Sequence, residues 1–351
     1  MDAQGTQIVE DRADRRPLSI VVPTRDRPEM LARCLKSVAA SMGPMDELIV
    51  VDSASRDPAP VERTATALGA RFLRSELPGA TRARNIGWRA AANDLIGFID
   101  DDVWVDPGWA NAIVERLTSA SDVEFLTGRI EAPEGQTSYY VAIKDDPDPA
   151  VFDRTTKGLT GHSASMAARR SALETVGGFD VWMGPGARFR GADDGDLFDR
   201  LFLQGYLCAY EPSALAWHDQ WREKAGLVRL NFHSGVGAGG RLAKLLRTDT
   251  RRLIVVTREY WQWCAKDAWN GLQHRNKIVL ASAAVRSAGI VAGFATGLTM
   301  RIEKGHYQGR RSQSEPGCGK DPSPSRSARP AQPGGYPKHA KRAGNGSRPA
   351  N

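Results

Sequence analysis

Cysteine is scarce in this chain. Four residues stand at 34, 208, 264 and 318, with no CxxC pair and no close spacing. That excludes a disulfide scaffold and a cysteine zinc site, and fits a reducing compartment. The first 17 residues, MDAQGTQIVEDRADRRP, have no apolar run. No secretory leader is therefore expected, and the cytoplasm is the expected location. Internal repeats are absent, as is a basic stripe with interleaved aromatics in the body. The formal charge of +7 belongs to the end of the chain: residues 301–351 hold 11 Lys/Arg against 3 Asp/Glu, and the first 300 hold 37 against 38. A nearly neutral body argues against a nucleic-acid groove, and no nucleic-acid partner is expected.

What is present is a chain of 351 residues with 41% apolar content, enough for a sizeable core. Apolar runs at 18–22, 48–51, 70–73 and 95–99 predict strands. Helical spacing at 28–40, 58–68 and 81–92, the last capped by Thr81, predicts helices between them. Strands alternating with helices imply a parallel sheet, whose ligand lies beyond the carboxyl ends of the strands. Helices near 107–118, 169–176 and 193–204 and a strand near 123–130 follow, with a polar surface excursion over 131–160. From about 308 the composition predicts disorder.

Three strand ends carry polar groups: Pro23-Thr24, Asp52-Ser53 and Asp100-Asp101-Asp102. Two charges 4 Å apart repel by about 4 kcal/mol at an effective dielectric near 20. Three adjacent carboxylates therefore call for a cation or a donor-rich ligand, or else form a solvated acidic turn. Asp52 has its own alternative, as a cap for the helix near 58. Asp193-Asp194 and Asp196 open a helix, where the dipole keeps carboxylates ionised. No Ser/His/Asp or Cys/His set is evident, so a covalent nucleophile is not expected.

Five motifs occur in order: VVPTRDRP at 21–28, VVDSAS at 50–55, GATRARNIG at 79–87, the DDD run, and GGFD at 177–180 followed by GADDGDL at 191–197. Together they resemble the family 2 glycosyltransferases of the GT-A fold, over roughly residues 18–220. The resemblance implies an α/β nucleotide-diphospho-sugar transferase fold with a mainly parallel central sheet flanked by helices. It implies an inverting, metal-dependent transfer from a nucleotide-sugar donor, UDP by family frequency, to a hydroxyl on a glycan, lipid-linked or small-molecule acceptor. The expected organisation is a flexible lead (1–17), a catalytic domain (18–222), a helical extension (223–307) and a disordered basic tail (308–351).

Carried over residue by residue, the resemblance makes Asp52 the acceptor for the nucleotide base, with Pro23, Thr24 and Arg27 lining the base and ribose pocket. Arg84-Asn85 matches an RN pair beside the diphosphate; a purely structural hydrogen bond is the alternative for Asn85. Asp102 would bind Mn2+ or Mg2+ and Asp100 the ribose, with Asp101 able to exchange with either. Asp193-Asp194 replaces a Glu-Asp pair. Asp194 would be the general base that takes the acceptor proton, with Asp196 as its rival. His218 would be a further metal ligand, and Trp182 or Trp217 would stack on sugar or acceptor. A nucleotidyltransferase on a related fold would need a Gly-rich loop after the first strand, which Pro23-Thr24-Arg25-Asp26 does not provide. An inactive sugar-nucleotide-binding protein would have lost the base or metal carboxylates, and these are present.

Two other signals need separate readings. Gly235 to Gly240 satisfies GxGxxG, but no strand precedes it, so a flexible loop closing over the active site is expected instead of a dinucleotide fingerprint. Ile278 to Met300 is long enough to span a bilayer but carries Arg286. Ser282, Arg286, Gly289, Gly293 and Gly297 share one helical stripe, which suits packing on the catalytic domain. Peripheral contact with the cytoplasmic face of a membrane is the second option.

Overall fold

The computed structural model describes residues 15–135, 143–157, 160–219 and 226–309. Most of the lead, the basic tail and part of the 131–160 excursion lie outside these residues. Nine strands form the main sheet: β1 (Leu18–Thr24), β2 (Glu47–Ser53), β3 (Arg71–Ser75), β4 (Leu95–Ile99), β5 (Val103–Val105), β6 (Val123–Glu131), β7 (Ala150–Phe152), β8 (Ser165–Arg169) and β9 (Leu207–His218). Their order is β3-β2-β1-β4-β8-β6-β9-β5, with β7 also on β9.

The first half, β3-β2-β1-β4, is parallel throughout. Helices α1 (Pro28–Ser41), α2 (Ala59–Ala67) and α3 (Ala80–Ala90) make its crossovers. Both faces of the central strands β1, β2 and β4 are covered, so each carries a continuous apolar run. Leu18, Ile20 and Val22 of β1 join one core cluster and Val21 joins the other; β2 splits the same way, Leu48 and Val50 against Ile49 and Val51. α1 begins with Pro28 in its first turn and buries Leu31, Cys34, Leu35 and Val38 at helical spacing. Thr81 is not a cap: α3 starts at Ala80, and the Thr81 hydroxyl donates to the Met183 carbonyl at 3.1 Å.

The second half is mixed. β8 enters antiparallel between β4 and β6, β6 runs parallel to β9, and β5 and β7 run antiparallel to β9. Helix α4 (Trp109–Ser119) contributes Trp109, Ile113 and Leu117 to the first core cluster. α5 (Arg170–Val176) and α6 (Asp193–Leu203) cover the other face with Leu173, Leu197 and Leu201. Gly177 and Gly178, both at φ 73°, end α5.

Three long helices follow: α7 (Leu227–Thr248), α8 (Thr250–Gln273) and α9 (Lys277–Thr299), then a hairpin of β10 (Arg301–Glu303) and β11 (His306–Gln308). The GxGxxG segment is not a loop over the active site. It lies inside α7, where its missing side chains let two helix backbones touch. A Cβ on Gly235 would sit 2.2 Å from the Arg286 carbonyl oxygen, and one on Gly239 would sit 2.0 Å from that of Ile290. The reciprocal stripe on α9, Ser282, Arg286, Gly289, Gly293 and Gly297, is buried. Arg286 is accommodated within it by Asp267 at 2.7 Å, by the Asn231 side-chain carbonyl at 2.9 Å and by stacking 3.8 Å over Trp263.

Charged side chains tie these helices to the sheet domain. Lys244 of α7 reaches Asp180 at 2.5 Å and Asp196 at 2.6 Å. Arg241 grips Asp199 of α6 through two bonds, at 2.6 and 2.8 Å. Gly239→Ala should lower stability by about 1–3 kcal/mol, because the new methyl must force α7 and α9 apart. The check is the melting temperature of the purified variant; an unchanged value would mean that the helices do not meet at this position.

Candidate active site

The parallel register brings three strand ends to one edge. Thr24 stands beside Asp52, and Val21 beside Phe98, so Asp100 follows just beyond β4. Backbone after β1 and β2 and just before α6 is unusual. Asp26, Ala54, Arg190 and Ala192 are non-glycine residues with φ between 56° and 59°. Such conformations cost about 1–3 kcal/mol each and concentrate at functional sites.

The three adjacent carboxylates separate into different environments. Asp101 is buried, as is Asp102. Asp101 accepts from the Thr24 hydroxyl at 2.7 Å and from Arg27 at 3.0 Å. Burial pushes its carboxyl up to about 7 against the pull of Arg27. Asp100 and Asp102 instead converge with His218, whose strand β9 pairs with β5 so that His218 lies opposite Val103. One ligand atom from each of the three falls within 4.8 Å of the others. His218 Nε2 is 3.4 Å from Asp102. The expected division gave Asp100 to the ribose and let Asp101 exchange with either neighbour; here Asp100 lies in the cation-type group, while Arg27 bridges Asp101 and Asp102 at 3.0 and 3.4 Å. The same contacts show that Thr24 and Arg27 meet the site through their side chains. Pro23 stays in β1 opposite Val51.

Two carboxylates and an imidazole suit a divalent cation. Carboxylates favour Mg2+ and Mn2+, and an imidazole in the set is better suited to a transition metal than to Mg2+.

Arg84 joins this group to a second one. Its guanidinium donates to Asp100 at 2.5 Å and to Asp193 at 2.9 Å, and its side chain is 4% exposed. Its neighbour Asn85 faces elsewhere. The Asn85 amide donates to the Phe179 carbonyl at 2.7 Å, and its oxygen accepts from the Phe179 N–H and the Trp88 indole. Both ends are thus committed to the turn after α5, the structural hydrogen bonding given as the alternative for Asn85. Gly178 is needed there because a Cβ would meet the Asn85 oxygen at 2.5 Å.

At the start of α6 the two adjacent carboxylates diverge. Burial raises Asp193 to about 6; Arg84 opposes the shift and Asp194 adds to it. Asp194 is pushed up by burial, but His162 and the Gly195 N–H hold it below the usual carboxylate range. That N–H donates at 2.7 Å, and His162 Nδ1 lies 3.4 Å away. Asp194 is therefore the ionised, partly exposed member of the pair. Divergent pKa values in neighbouring carboxylates are the usual mark of divided acid–base roles. Asp196, the expected rival, is 1% exposed and enclosed by Lys244 and Arg200. Both cations hold it, and through Lys244 it anchors α7.

Asp52 is fully buried. It accepts from Arg74 and from the Ser55 N–H at 3.2 Å. It does not cap α2, whose N-terminus is at Pro58. Trp182 packs with Met183, Phe189 and Tyr307, and Trp217 pairs with Trp104 across β9 and β5. Sequence reasoning passed over Arg74 and His162. Arg74 was hidden in a short strand, and His162 in a segment just before β8 that carries no periodic signal.

Residues 19–177 match the model of the family described as "Glycosyl transferase family 2". The pre-mycofactocin glycosyltransferase of Mycobacterium tuberculosis is 27% identical over 76% of this chain and 56% of its own length. The chain thus spans a little over half of that relative. The succinoglycan biosynthesis protein ExoM of Rhizobium meliloti is 28% identical over 65% of this chain and 75% of its own. Among solved structures, the mannosyltransferase PcManGT from Pyrobaculum calidifontis, in complex with GDP-Man and Mn2+, superposes with a TM-score of 0.56. It is 16% identical, over 84% of this chain and 93% of its own.

Arg84→Ala would leave Asp100 and Asp193 without their common partner. Removing one member of a buried ion pair costs about 3–5 kcal/mol. Urea denaturation of the variant should show a loss of that order, and a loss under about 1 kcal/mol would contradict the bridge.

Proposed function

Residues 19–177 form a domain of glycosyl transferase family 2 on a GT-A fold, and on that premise we propose that the protein moves a sugar from a nucleoside-diphosphate donor to a hydroxyl acceptor with inversion. The acceptor oxygen bonds to the anomeric carbon as the bond to the diphosphate oxygen breaks. The electron pair leaves with the nucleoside diphosphate, and the hydroxyl proton passes to Asp194. One base on the face opposite the leaving group suffices, since inversion needs no covalent intermediate. The acceptor classes compatible with this reading are a glycan, a lipid-linked molecule or a small metabolite.

The observation that carries the proposal is the double contact of Arg84 with Asp100 and Asp193. It sets Asp100 of the cation-type group and Asp193, the neighbour of the proposed base Asp194, on two sides of one buried guanidinium. Asp100, Asp102 and His218 would hold Mn2+ or Mg2+, which when bound offsets the charge of the departing diphosphate. Asp101 fixes the loop between them through Thr24 and Arg27. Asp52, held by Arg74, would accept from the imide N–H of the base, and UDP is the proposed nucleotide by its frequency in the family. His162 orients Asp194 and favours its ionised form.

Asp102→Asn should abolish Mn2+-dependent UDP binding in calorimetry; unchanged affinity would remove Asp102 from the cation group. Asp194→Asn should leave that binding intact and slow transfer by at least about a hundredfold, the lower range for a positioned base. A near-normal rate would rule out Asp194 as the base.

The pH dependence has a definite sign. A depressed carboxylate pKa keeps Asp194 ionised through neutral pH, and activity should be lost only as pH falls through that lowered value. His162→Gln removes part of the pull that depresses it. The acid limb of the rate profile should then move to higher pH, and an unmoved limb would show that His162 does not act on Asp194.

A further inference from the structure

Helix α9 satisfies two contradictory demands. One stripe packs against α7 through small residues, and Arg286 is neutralised within it. The opposite side faces solvent, yet between Lys277 and Arg301 the helix has no charged residue except the buried Arg286. Only 28% of its most apolar window is buried, although its length and composition would allow it to cross a membrane. A helix that is apolar all round requires a cover on every side. The adjoining helix α8 has the same need. Ile254, Trp261, Trp269 and Leu272 recur along one stripe of it and are 71%, 75%, 61% and 61% exposed. On α9, Val291 is 69% and Leu298 48% exposed.

We propose that the outer sides of α8 and α9 dock this protein on an anionic lipid bilayer, with the two helices lying along its surface. Spanning is excluded by packing. α9 is held against α7, and α7 is tied to the catalytic domain by Arg241 and Lys244. Charge selects the bilayer over a second copy of the chain. Arg258 stands on the tryptophan stripe, and Arg275 and Lys277 flank the turn between α8 and α9, all exposed. The acids of α8 are less available: Glu259 and Asp267 are half-buried, and Asp267 is paired with Arg286. Self-association through this face would bring like charges together, whereas anionic headgroups complement them. Tryptophan is also the side chain that prefers the headgroup boundary. The inference rests on these surfaces and is independent of the catalytic reading.

The test is co-sedimentation of the full chain with phosphatidylcholine vesicles, with and without phosphatidylglycerol. The intact protein should pellet with the anionic vesicles. The double variant Trp261→Ser/Trp269→Ser should partition at least ~10-fold more weakly, with an unchanged melting temperature. Three results would overturn the proposal. The protein could stay in the supernatant with both vesicle types. The double variant could bind as well as the parent, which would assign binding to the basic tail. Or ultracentrifugation could show a lipid-free dimer that the double substitution dissociates.

Discussion

The buried guanidinium of Arg84 is the constraint on which the site depends. A charge in that position is tolerable only if paired on more than one side, because desolvation of an unpaired ion costs several kcal/mol. Asp100 comes from the end of a parallel strand and Asp193 from the first turn of a helix more than ninety residues later. Arg84 reaches both from α3, the crossover helix that precedes β4. Three separate segments thereby acquire one mutual geometry. The electrostatic result is a graded set of carboxylates. Asp101 and Asp193 are raised by burial, and Asp194 is held ionised beside them.

The same logic of paired buried charge extends outward. Lys244 is buried because Asp180 and Asp196 face it from two sides. Arg241 and Arg252 share Asp199. These pairs use up carboxylates that would otherwise compete as site residues, and they fix the helical extension against α6. The first turn of α6 therefore presents one partly exposed acid to the outside and keeps the others inside. Close packing of α7 on α9 completes this support, with glycine as the means of approach and not as a phosphate cradle.

The parallel half of the sheet was legible in the sequence, because buried strands there are apolar runs ended by polar residues. The carboxylates at those ends could be located for the same reason. What sequence could not supply was orientation. Adjacent Asp100, Asp101 and Asp102 are alike as letters, and only their contacts tell them apart: Asp101 with Thr24 and Arg27, Asp100 and Asp102 with His218. Asn85 and Arg84 are neighbours on a helix, yet 100° of rotation sends one to a structural turn and the other to the site. Asp196 lies two residues from Asp194 and is taken by Lys244, almost fifty residues away. His162 enters the site through the antiparallel insertion of β8, which no local pattern announced. The small-residue stripe on α9 was legible because its period is helical; the glycines of α7 were misread because the same spacing serves loops.

The claim that one guanidinium couples the two halves of the site can be measured without knowing the sugar or the acceptor. A double-mutant cycle of Asp100→Asn and Asp193→Asn, read by urea denaturation, isolates the energy passing between them through Arg84. Groups that share a partner interact by about 0.5–3 kcal/mol, while independent sites add to within about 0.5 kcal/mol. The account predicts a coupling in the first range that disappears when the cycle is repeated on an Arg84→Ala background. Additivity in the native background, or a coupling that survives the loss of Arg84, would contradict it.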